Sequence, residues 1–326
     1  MRNTMRWAVL IPAMLAAQMA LAGAQTALAG DRAVTDDTGR SVTIPQDPKR
    51  IIVLHEPLLG LPLLDLGVDV TGSYGRSDDG RMLTAVDFID TVLAKKGPKP
   101  TGIGAVGQID LEKVRKLDPD LIIGTERDVD KAGQLSAIAP VYLQKASTGR
   151  TRGIGVEEDL ARLLGRQDEF AARKKAYLDR VAALRAKLPP SERERTYMAV
   201  IVHDQVNLVG EISGAIQALE DLGYHPAKVD GMGAGKGLGS IFATPLSPEI
   251  FGRADPDLLV IMNSYAEKDR SEAAIRARLD KIMPGWDKFL KPAREGRILY
   301  LDSGEVATPT IASAEHTLDA FGARKE

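Results

Sequence analysis

Two stretches of this chain repeat each other: DLEKVRKLDPDLII at residues 110–123 and SPEIFGRADPDLLV at residues 247–260. Each copy begins with a side chain typical of a helix N-cap, Asp110 or Ser247, and its helical pattern is stopped by a proline. The apolar run after each Asp-Pro-Asp turn is typical of a strand that a parallel sheet buries on both faces. The duplication predicts two lobes of similar α/β build. The alternative is a chance likeness between two helix–strand units.

A second, looser repeat has the same meaning. The apolar run at 51–54 is followed by a helical stretch that ends at Gly67, and the run at 198–202 by one that ends at Gly223. Glycine is the residue that most readily adopts the left-handed backbone just past a helix. Both halves are therefore predicted to alternate strands with helices.

The segment between the halves predicts a rigid connection. Residues 156–188 contain no proline and a single glycine, Gly165, and from residue 167 the apolar residues recur at helical spacing. Pro189 and Pro190 end the pattern. We predict an α/β fold of two Rossmann-like lobes joined by one long rigid helix, with a ligand cleft between the lobes. The expected limits are 30–155, 156–189 and 190–326, and the lobes should rock by small angles only.

The first 29 residues predict export. Arg2 and Arg6 precede an apolar run at 7–22, and A-x-A spacings follow at 20–22 and 27–29. This order is typical of a secretory signal peptide cleaved after Ala29, with Ala22 as the second choice. An N-terminal membrane anchor is the alternative, but the run is short for a bilayer span.

Composition narrows the class of protein further. The chain has no cysteine, and 43 basic residues nearly balance 45 acidic ones. The missing cysteine excludes disulfides and the lipid-attachment residue of lipoproteins, which predicts a freely diffusing periplasmic protein of a Gram-negative cell. We expect this protein to be a monomer. Scattered basic residues disfavour nucleic-acid binding.

Enzyme and cofactor motifs are weak or missing. GIGAVG at 102–107 matches the dinucleotide pattern, but a Gly-Pro-Lys-Pro-Thr stretch precedes it where a strand is required. HExxH and GxSxG do not occur, and four histidines are few for a zinc or manganese site. We predict no catalytic residue, no intrinsic cofactor and no protein metal ligand, with a periplasmic α/β enzyme as the lesser alternative.

Several motifs together resemble a known family. VTDDTGRSVTIP at 34–45, PKRIIVL at 48–54, DLG at 65–67 and LSAIAP at 135–140 are similar to the periplasmic siderophore-binding proteins of ABC iron importers. The resemblance implies capture of an Fe(III) chelate, of the ferric siderophore or ferric citrate type, and its delivery to an inner-membrane importer. Haem and cobalamin binders share the architecture and remain alternatives.

The resemblance also implies two docking residues. In such proteins one surface glutamate per lobe pairs with arginines of the transporter's membrane subunits, and the repeated motif places these at Glu112 and Glu249. Both lie early in a predicted helix, where the dipole stabilises a carboxylate.

Ligand contacts are expected in loops that leave the carboxyl ends of strands. The candidates there are Arg127, Arg76, Tyr265, His55, His203, Tyr74, Asn263 and Arg81, with Arg150 as a further arginine. Anionic chelates favour guanidinium groups, so Arg127 ranks first and Arg76 second.

Some departures from the family leave the chelate open. Asn263-Ser264 stands where some relatives have an arginine, and neither the tyrosine expected near 303–305 nor the histidine expected near 231–239 is present. A neutral hydroxamate or mixed chelate is therefore an alternative to a polyanionic one. The glycine-rich stretch 231–239 is predicted to be a mobile cleft loop.

Overall fold

The computed structural model describes residues 30–83, 86–94, 98–105, 107–146, 152–190, 194–229 and 243–324. The predicted signal peptide, the glycine-rich stretch 231–239 and Arg150 lie outside these ranges. In the described ranges no helix is both long and apolar enough to cross a membrane.

The first lobe is built on a five-stranded parallel sheet with a small antiparallel hairpin before it. The strands are β1 (Asp31–Thr35), β2 (Ser41–Pro45), β3 (Ile51–Val53), β4 (Gly72–Ser73), β5 (Thr101–Gly102), β6 (Leu121–Thr125) and β7 (Val141–Gln144). The hairpin pairs β1 with β2. The parallel sheet has the order β5-β4-β3-β6-β7. The helices are α1 (Leu61–Asp65), α2 (Phe88–Leu93), α3 (Leu111–Lys116) and α4 (Val129–Leu135), with a π-helical turn at Glu56–Gly60 and a 3-10 turn at Glu126–Asp128. Strands β3 and β6 are buried along their whole length, as the apolar runs predict.

The second lobe has a mixed sheet of six strands. Its strands are β8 (Thr196–Val202), β9 (Val206–Val209), β10 (His225–Pro226), β11 (Ala243–Pro245), β12 (Leu258–Asn263) and β13 (Ile298–Leu301). The order in the sheet is β11-β9-β8-β12-β13, and the short β10 pairs with β8. Its helices are α7 (Gly214–Asp221), α8 (Pro248–Arg253), α9 (Glu272–Ile282), α10 (Trp286–Phe289), α11 (Lys291–Arg294), α12 (Ser303–Val306) and α13 (Ile311–Gly322). Strands β8, β12 and β13 are parallel, whereas β9 and β11 are antiparallel to their neighbours.

The predicted repeat is present as α3–β6 and α8–β12. The Asp110 carboxylate accepts hydrogen bonds from the amides of Glu112 and Lys113, each at 3.1 Å, and the Ser247 hydroxyl accepts one from Ile250 at 3.2 Å. In each lobe the repeated strand pairs with the lobe's first parallel strand, β6 with β3 and β12 with β8. The prediction of a two-lobed α/β fold is confirmed.

The predicted connection consists of two helices, α5 (Gly155–Leu164) and α6 (Gln167–Lys187). Gly165 separates them with a left-handed backbone, φ 69°. The 21-residue α6 is the long linking helix, with a rise of about 30 Å. Its buried side chains pack in the core of the second lobe, whereas most buried side chains of α5 pack in the first. The two lobes are therefore joined through the packing of α5 on α6.

Gly102 permits a close approach of two backbones beside the first sheet. A Cβ atom added at Gly102 would lie 1.9 Å from the carbonyl oxygen of Arg76. Backbone cannot move aside as a flexible side chain can, so only glycine fits without displacing the loop that carries Arg76.

We predict that Gly102→Ala lowers the free energy of unfolding by about 2–3 kcal/mol, because the new methyl group overpacks against backbone. Gly133→Ala is the matched control, since a Cβ there meets nothing within 4 Å and Gly133 lies inside α4. It should raise stability by about 0.5–1 kcal/mol. Urea unfolding followed by circular dichroism measures both, and equal effects of the two substitutions would contradict the packing argument.

Candidate functional site

A cavity of about 150 Å³ lies between the lobes, beside the carboxyl ends of strands from both sheets. The first lobe contributes most of its walls and the second lobe closes it; the lining residues are His55, Glu56, Pro57, Tyr74, Gly75, Met82, Phe88, Tyr265, Ala307 and Thr308. The rings of Phe88 and Tyr265 meet across the lobes, with centroids 6.1 Å apart and planes tilted by 56°. The cleft is therefore aromatic and largely apolar.

Tyr74 supplies a buried hydroxyl to this cleft. The residue follows β4 and is 3% exposed, and its hydroxyl oxygen has no hydrogen-bond partner among the described residues. Burial, and then the nearby Asp128 carboxylate, raise the pKa of Tyr74, so the group remains a phenol. A buried hydroxyl without a partner is unfavourable, so Tyr74 is suited to donate a hydrogen bond to an acceptor on a bound molecule.

His55 lies at the same wall as a neutral imidazole. Its Nδ1 accepts a hydrogen bond from the amide of Leu58 at 3.2 Å, which caps the π-helical turn after β3. A neutral ring that accepts at Nδ1 carries its proton on Nε2. Burial lowers the pKa of His55 to about 4; Asp128 opposes this and Arg127 adds to it.

Arg76 was a ligand candidate, but the structure gives it a different set of partners. Its guanidinium binds Glu56 through Nε and Nη2, each at 2.6 Å, and Asp87 through Nη1 and Nη2, each at 2.7 Å. Nη1 also donates to the carbonyl of Gly80 at 2.6 Å. All five N–H groups are thus used within the protein, and Arg76 is 1% exposed. We therefore leave Arg76 out of the ligand contacts, because a ligand would have to break a buried ion pair to reach it.

This buried ion pair also sets the charge of the cleft. Glu56 lines the cavity, yet Arg76 occupies both its oxygens and the hydroxyl of Ser73 donates to one of them at 2.6 Å. Asp87 in turn accepts from the amide of Ile89 and begins α2, which carries Phe88. The carboxylate nearest the cavity is therefore neutralised, and the wall around it is fixed.

The other two arginine candidates lie outside the cavity. Arg127 is exposed in the 3-10 turn after β6, close enough to His55 to affect its protonation, and we find no ion pair to its guanidinium in the described part of the chain. Arg81 is exposed on the outer side of the loop, in a groove with Asp79, Asp90 and Lys99.

The candidates of the second lobe are divided in the same way. Tyr265 lines the cavity mouth and is 37% exposed. Asn263 is buried, and its Oδ1 accepts from the amide of Ser303 at 3.1 Å, which ties β12 to α12. His203 lies away from the lining with its Nδ1 2.9 Å from a Glu267 oxygen. Asn263 and His203 therefore contact protein groups in this structure.

The cavity includes residues that the sequence did not single out. Met82, Phe88, Ala307 and Thr308 line it, and only Phe88 had a usable signal, as an aromatic residue directly after the helix N-cap Asp87. Ala307 and Thr308 come from a turn near the end of the chain, and nothing in their residue type points to a binding site.

The two predicted docking residues lie on the outer surface. The side chains of Glu112 and Glu249 are 85% and 77% exposed, each in the first turn of its helix. Each pairs with an arginine of the same helix, Arg115 or Arg253. Exposed pairs of this kind contribute about 0–1 kcal/mol, so both carboxylates are available to a partner's cations.

No group of three or more metal-binding side chains is found in the ranges that the structure covers. A two-lobed α/β fold with a cleft between the lobes is typical of solute-binding proteins. The periplasmic binding protein family matches residues 57–304, and the chain belongs to this family.

Individual relatives agree with that assignment. The Bacillus subtilis lipoprotein YhfQ, provisionally named as an ABC transporter substrate-binding protein, is 25% identical over 297 residues, 90% of this chain and 88% of YhfQ. The ferric-anguibactin-binding protein FatB of Vibrio anguillarum is 24% identical over 249 residues, 72% of each chain. The structure of Staphylococcus aureus SirA complexed with staphyloferrin B is similar in fold, with a TM-score of 0.65 at 21% identity, covering 88% of this chain and 96% of SirA.

We predict that His55 titrates with a midpoint near pH 4. NMR of its ring protons measures this midpoint, and the loss of a signal in His55→Gln identifies the resonances. Because the pKa is lowered on folding, stability is full above about pH 6.5 and is lost as the pH falls toward 4, by about 2–3 kcal/mol. Urea unfolding at pH 7 and pH 4.5 should show a smaller acid loss in His55→Gln than in the parent. His225→Gln, at an exposed histidine, should behave like the parent. A His55 midpoint at pH 6 or above would contradict the assignment.

Proposed function

We propose that this protein captures an iron chelate in the periplasm and delivers it to an ABC importer of the inner membrane. The observation that carries the proposal is the buried, unpartnered hydroxyl of Tyr74 in an aromatic cleft between two lobes. Such a group is suited to an oxygen-rich ligand with apolar surface. FatB is a ferric-anguibactin-binding protein and SirA binds staphyloferrin B, which supports the same class of cargo.

The chelate we favour has low net charge. The carboxylate of Glu56 in the cavity lining is neutralised by Arg76, and His55 is uncharged at neutral pH. Cations near the cleft are also paired, Lys131 with Asp128 at 2.9 Å and Arg270 with Asp302 at 3.0 Å. Arg127 is the described arginine candidate whose charge acts on a residue of the lining, His55. One such cation is few for a polyanionic chelate, which supports a hydroxamate or mixed chelate.

Binding requires the cleft to widen. The cavity of about 150 Å³ is smaller than the roughly 300–1,000 Å³ typical of sites for drug-sized ligands. We expect entry on the side of Tyr265, the most exposed aromatic residue of the lining. The stiff connection through α5 and α6 supports a small rotation of the lobes.

We also propose that the protein is exported and that its two lobes have the limits predicted from the sequence. Residues 1–29 act as the signal peptide, residues 30–155 and 190–326 form the lobes, and residues 156–189 link them. The mature chain then works as a monomer without a lipid anchor, unlike YhfQ, which is named a lipoprotein.

The ligand can be tested by calorimetric titration with ferrioxamine B, ferric citrate, a ferric catecholate, haemin and cobalamin. We expect micromolar or tighter binding of a ferric chelate, with ferrioxamine B ahead of the polyanionic complexes. Binding of none of these ferric chelates would remove the iron-uptake proposal, and tighter binding of haemin or cobalamin would replace it.

Tyr74→Phe should weaken binding of the best chelate about 5–10-fold, since one hydrogen bond contributes about 1 kcal/mol. The matched control is Tyr300→Phe, which removes another buried hydroxyl without a partner, in β13 and outside the cavity lining. The control should leave the affinity unchanged. Equal affinities of the parent and Tyr74→Phe would show that the hydroxyl does not contact the ligand.

Docking can be tested separately. Charge reversal at both Glu112→Arg and Glu249→Arg should abolish uptake of a radiolabelled iron chelate by whole cells and leave calorimetric affinity intact. Glu272→Arg is the control, because Glu272 is a half-exposed residue in the first turn of α9 that also pairs with an arginine four residues on. A loss of ligand affinity in the double variant would place these residues in the cleft instead.

A further inference from the structure

One carboxyl group of the first lobe and one of the connecting helix α5 cap a helix of the second lobe. Helix α13 begins at Ile311, and the amide of Ile311 donates to Glu157 Oε2 at 2.8 Å. The next amide, of Ala312, donates to Asp65 Oδ2 at 3.0 Å. Glu157 belongs to α5 and Asp65 is the last residue of α1. Because most buried side chains of α5 pack in the core of the first lobe, both bonds hold the second lobe against the first.

These bonds replace water at the start of α13. The first amides of a helix have no partner within the helix and are usually hydrated or capped by a neighbouring side chain. Here the hydroxyl of Thr310 caps only the amide of Ser313, at 3.0 Å, and the two amides before it depend on Glu157 and Asp65. The first two amides of α13 are thus capped by protein groups only while the lobes are together.

The two carboxylates are deeply buried. Glu157 is 0% exposed, the side chain of Asp65 is 5% exposed, and Glu157 Oε1 has no hydrogen-bond partner in the part of the chain that is described. Arg173 of α6 lies 2.6 Å from Asp65 Oδ1, so the linking helix is tied to the same point. Burial raises the pKa of both carboxyl groups, and their mutual repulsion raises that of Glu157 further. Separating the lobes would break both hydrogen bonds and remove the protein caps from the amides of Ile311 and Ala312.

The capped segment leads directly to the ligand cleft. Ala307 and Thr308 line the cavity and lie just before α13. The hydroxyl of Thr308 hydrogen-bonds to that of Ser313 at 2.6 Å, which fixes the turn to the helix. Holding Ile311 and Ala312 against the first lobe therefore also holds one cleft wall at a set distance from the opposite wall.

Helix α2 makes a second contact between the lobes. Thr91 of α2 donates to the carbonyl of Gly304 at 2.6 Å, and His316 Nε2 lies 2.8 Å from the carbonyl of Val92. Helix α2 also carries Phe88 of the cavity. The stretch from Gly304 to His316 is thus bound to the first lobe at two places. The carboxyl caps form the more deeply buried of these two contacts.

We infer that Asp65 and Glu157 are positioning residues that anchor the second lobe to the first and so set the width of the ligand cleft. The inference rests on the proposed function only in taking this cleft as the ligand site. Neither residue contacts the cavity, and both act through the turn that holds Ala307 and Thr308.

The width can be measured without ligand. Because the chain has no cysteine, Asp130→Cys and Asp204→Cys introduce two unique spin-label sites, on exposed residues beyond the carboxyl ends of β6 and β8. Electron–electron double resonance should give a narrow distribution of the distance between the two spin labels in this doubly labelled protein, which serves as the parent. Glu157→Leu, which cannot accept the Ile311 amide, should broaden it and shift it to longer distance. Glu157→Gln, whose amide oxygen still accepts, should restore the parent distribution.

Glu158→Leu is the matched control. Glu158 is the next residue of α5, is half-exposed, and pairs with Lys174 of α6 at 3.3 Å without contacting α13. It should leave the distribution unchanged. An unchanged distribution in Glu157→Leu, or an equal change in Glu158→Leu, would overturn the inference.

A measurement on the unsubstituted protein covers the case in which Glu157→Leu does not fold. Native-state hydrogen exchange should show the amides of Ile311 and Ala312 protected to within about tenfold of the Leu318 amide in the middle of α13. Exchange more than a hundredfold faster than at Leu318 would overturn the anchor, since it would mean that the caps open without the helix. Neither measurement needs a chelate, so failure of the ligand panel and failure of the anchor are distinguishable.

Discussion

A parallel strand buried on both faces leaves only its ends for polar chemistry, and this constraint organises the whole molecule. Strands β3, β6, β8 and β12 are apolar and almost fully buried, so their faces pack helices and cannot bind a solute. The residues just past their carboxyl ends must therefore supply the site. Because each lobe has one such edge, a site of useful depth forms only where the two edges face each other. Tyr74 and Tyr265 meet in one cleft for this reason.

The elements that local chemistry specifies were predictable from the sequence. Asp110 and Ser247 cap their helices, and Gly67 and Gly223 have φ of 76° and 98° where a helix ends, because capping and backbone handedness depend on neighbouring residues alone. The direction of a side chain at a strand end is a different matter. Arg76 turns inward because Glu56, 20 residues before it, and Asp87 complete its ion pairs. No spacing rule in a single sequence reports such a partnership.

At the carboxyl edge of the second sheet, residue type alone was a poor guide to which side chains line the cavity. Asn263 has the donor and acceptor groups of a ligand contact, yet its side chain joins β12 to α12. Ala307 and Thr308 have no distinctive chemistry, and they line the cavity because the turn before α13 is held against the first lobe. Sequence can rank the residues at a strand end by chemistry. It cannot tell which of them the packing of the opposite lobe will bring into a common cavity.

The position of the buried contacts determines how such a molecule can open. Helix α6 packs on the second lobe and is joined to the first through α5, while Arg173 of α6 meets Asp65 close to the start of α13. The stiff connection and the buried caps thus lie on the same side of the cleft. Rotation about a point there moves the nearest groups least and the distant rim most. Tyr265 and Phe88 meet in a tilted ring contact, whereas the buried carboxyl groups of Asp65 and Glu157 each accept a hydrogen bond from α13. The cleft should therefore widen by parting these rings while the side of Asp65 and Glu157 stays closed, which lets a stiff protein admit a ligand at small conformational cost.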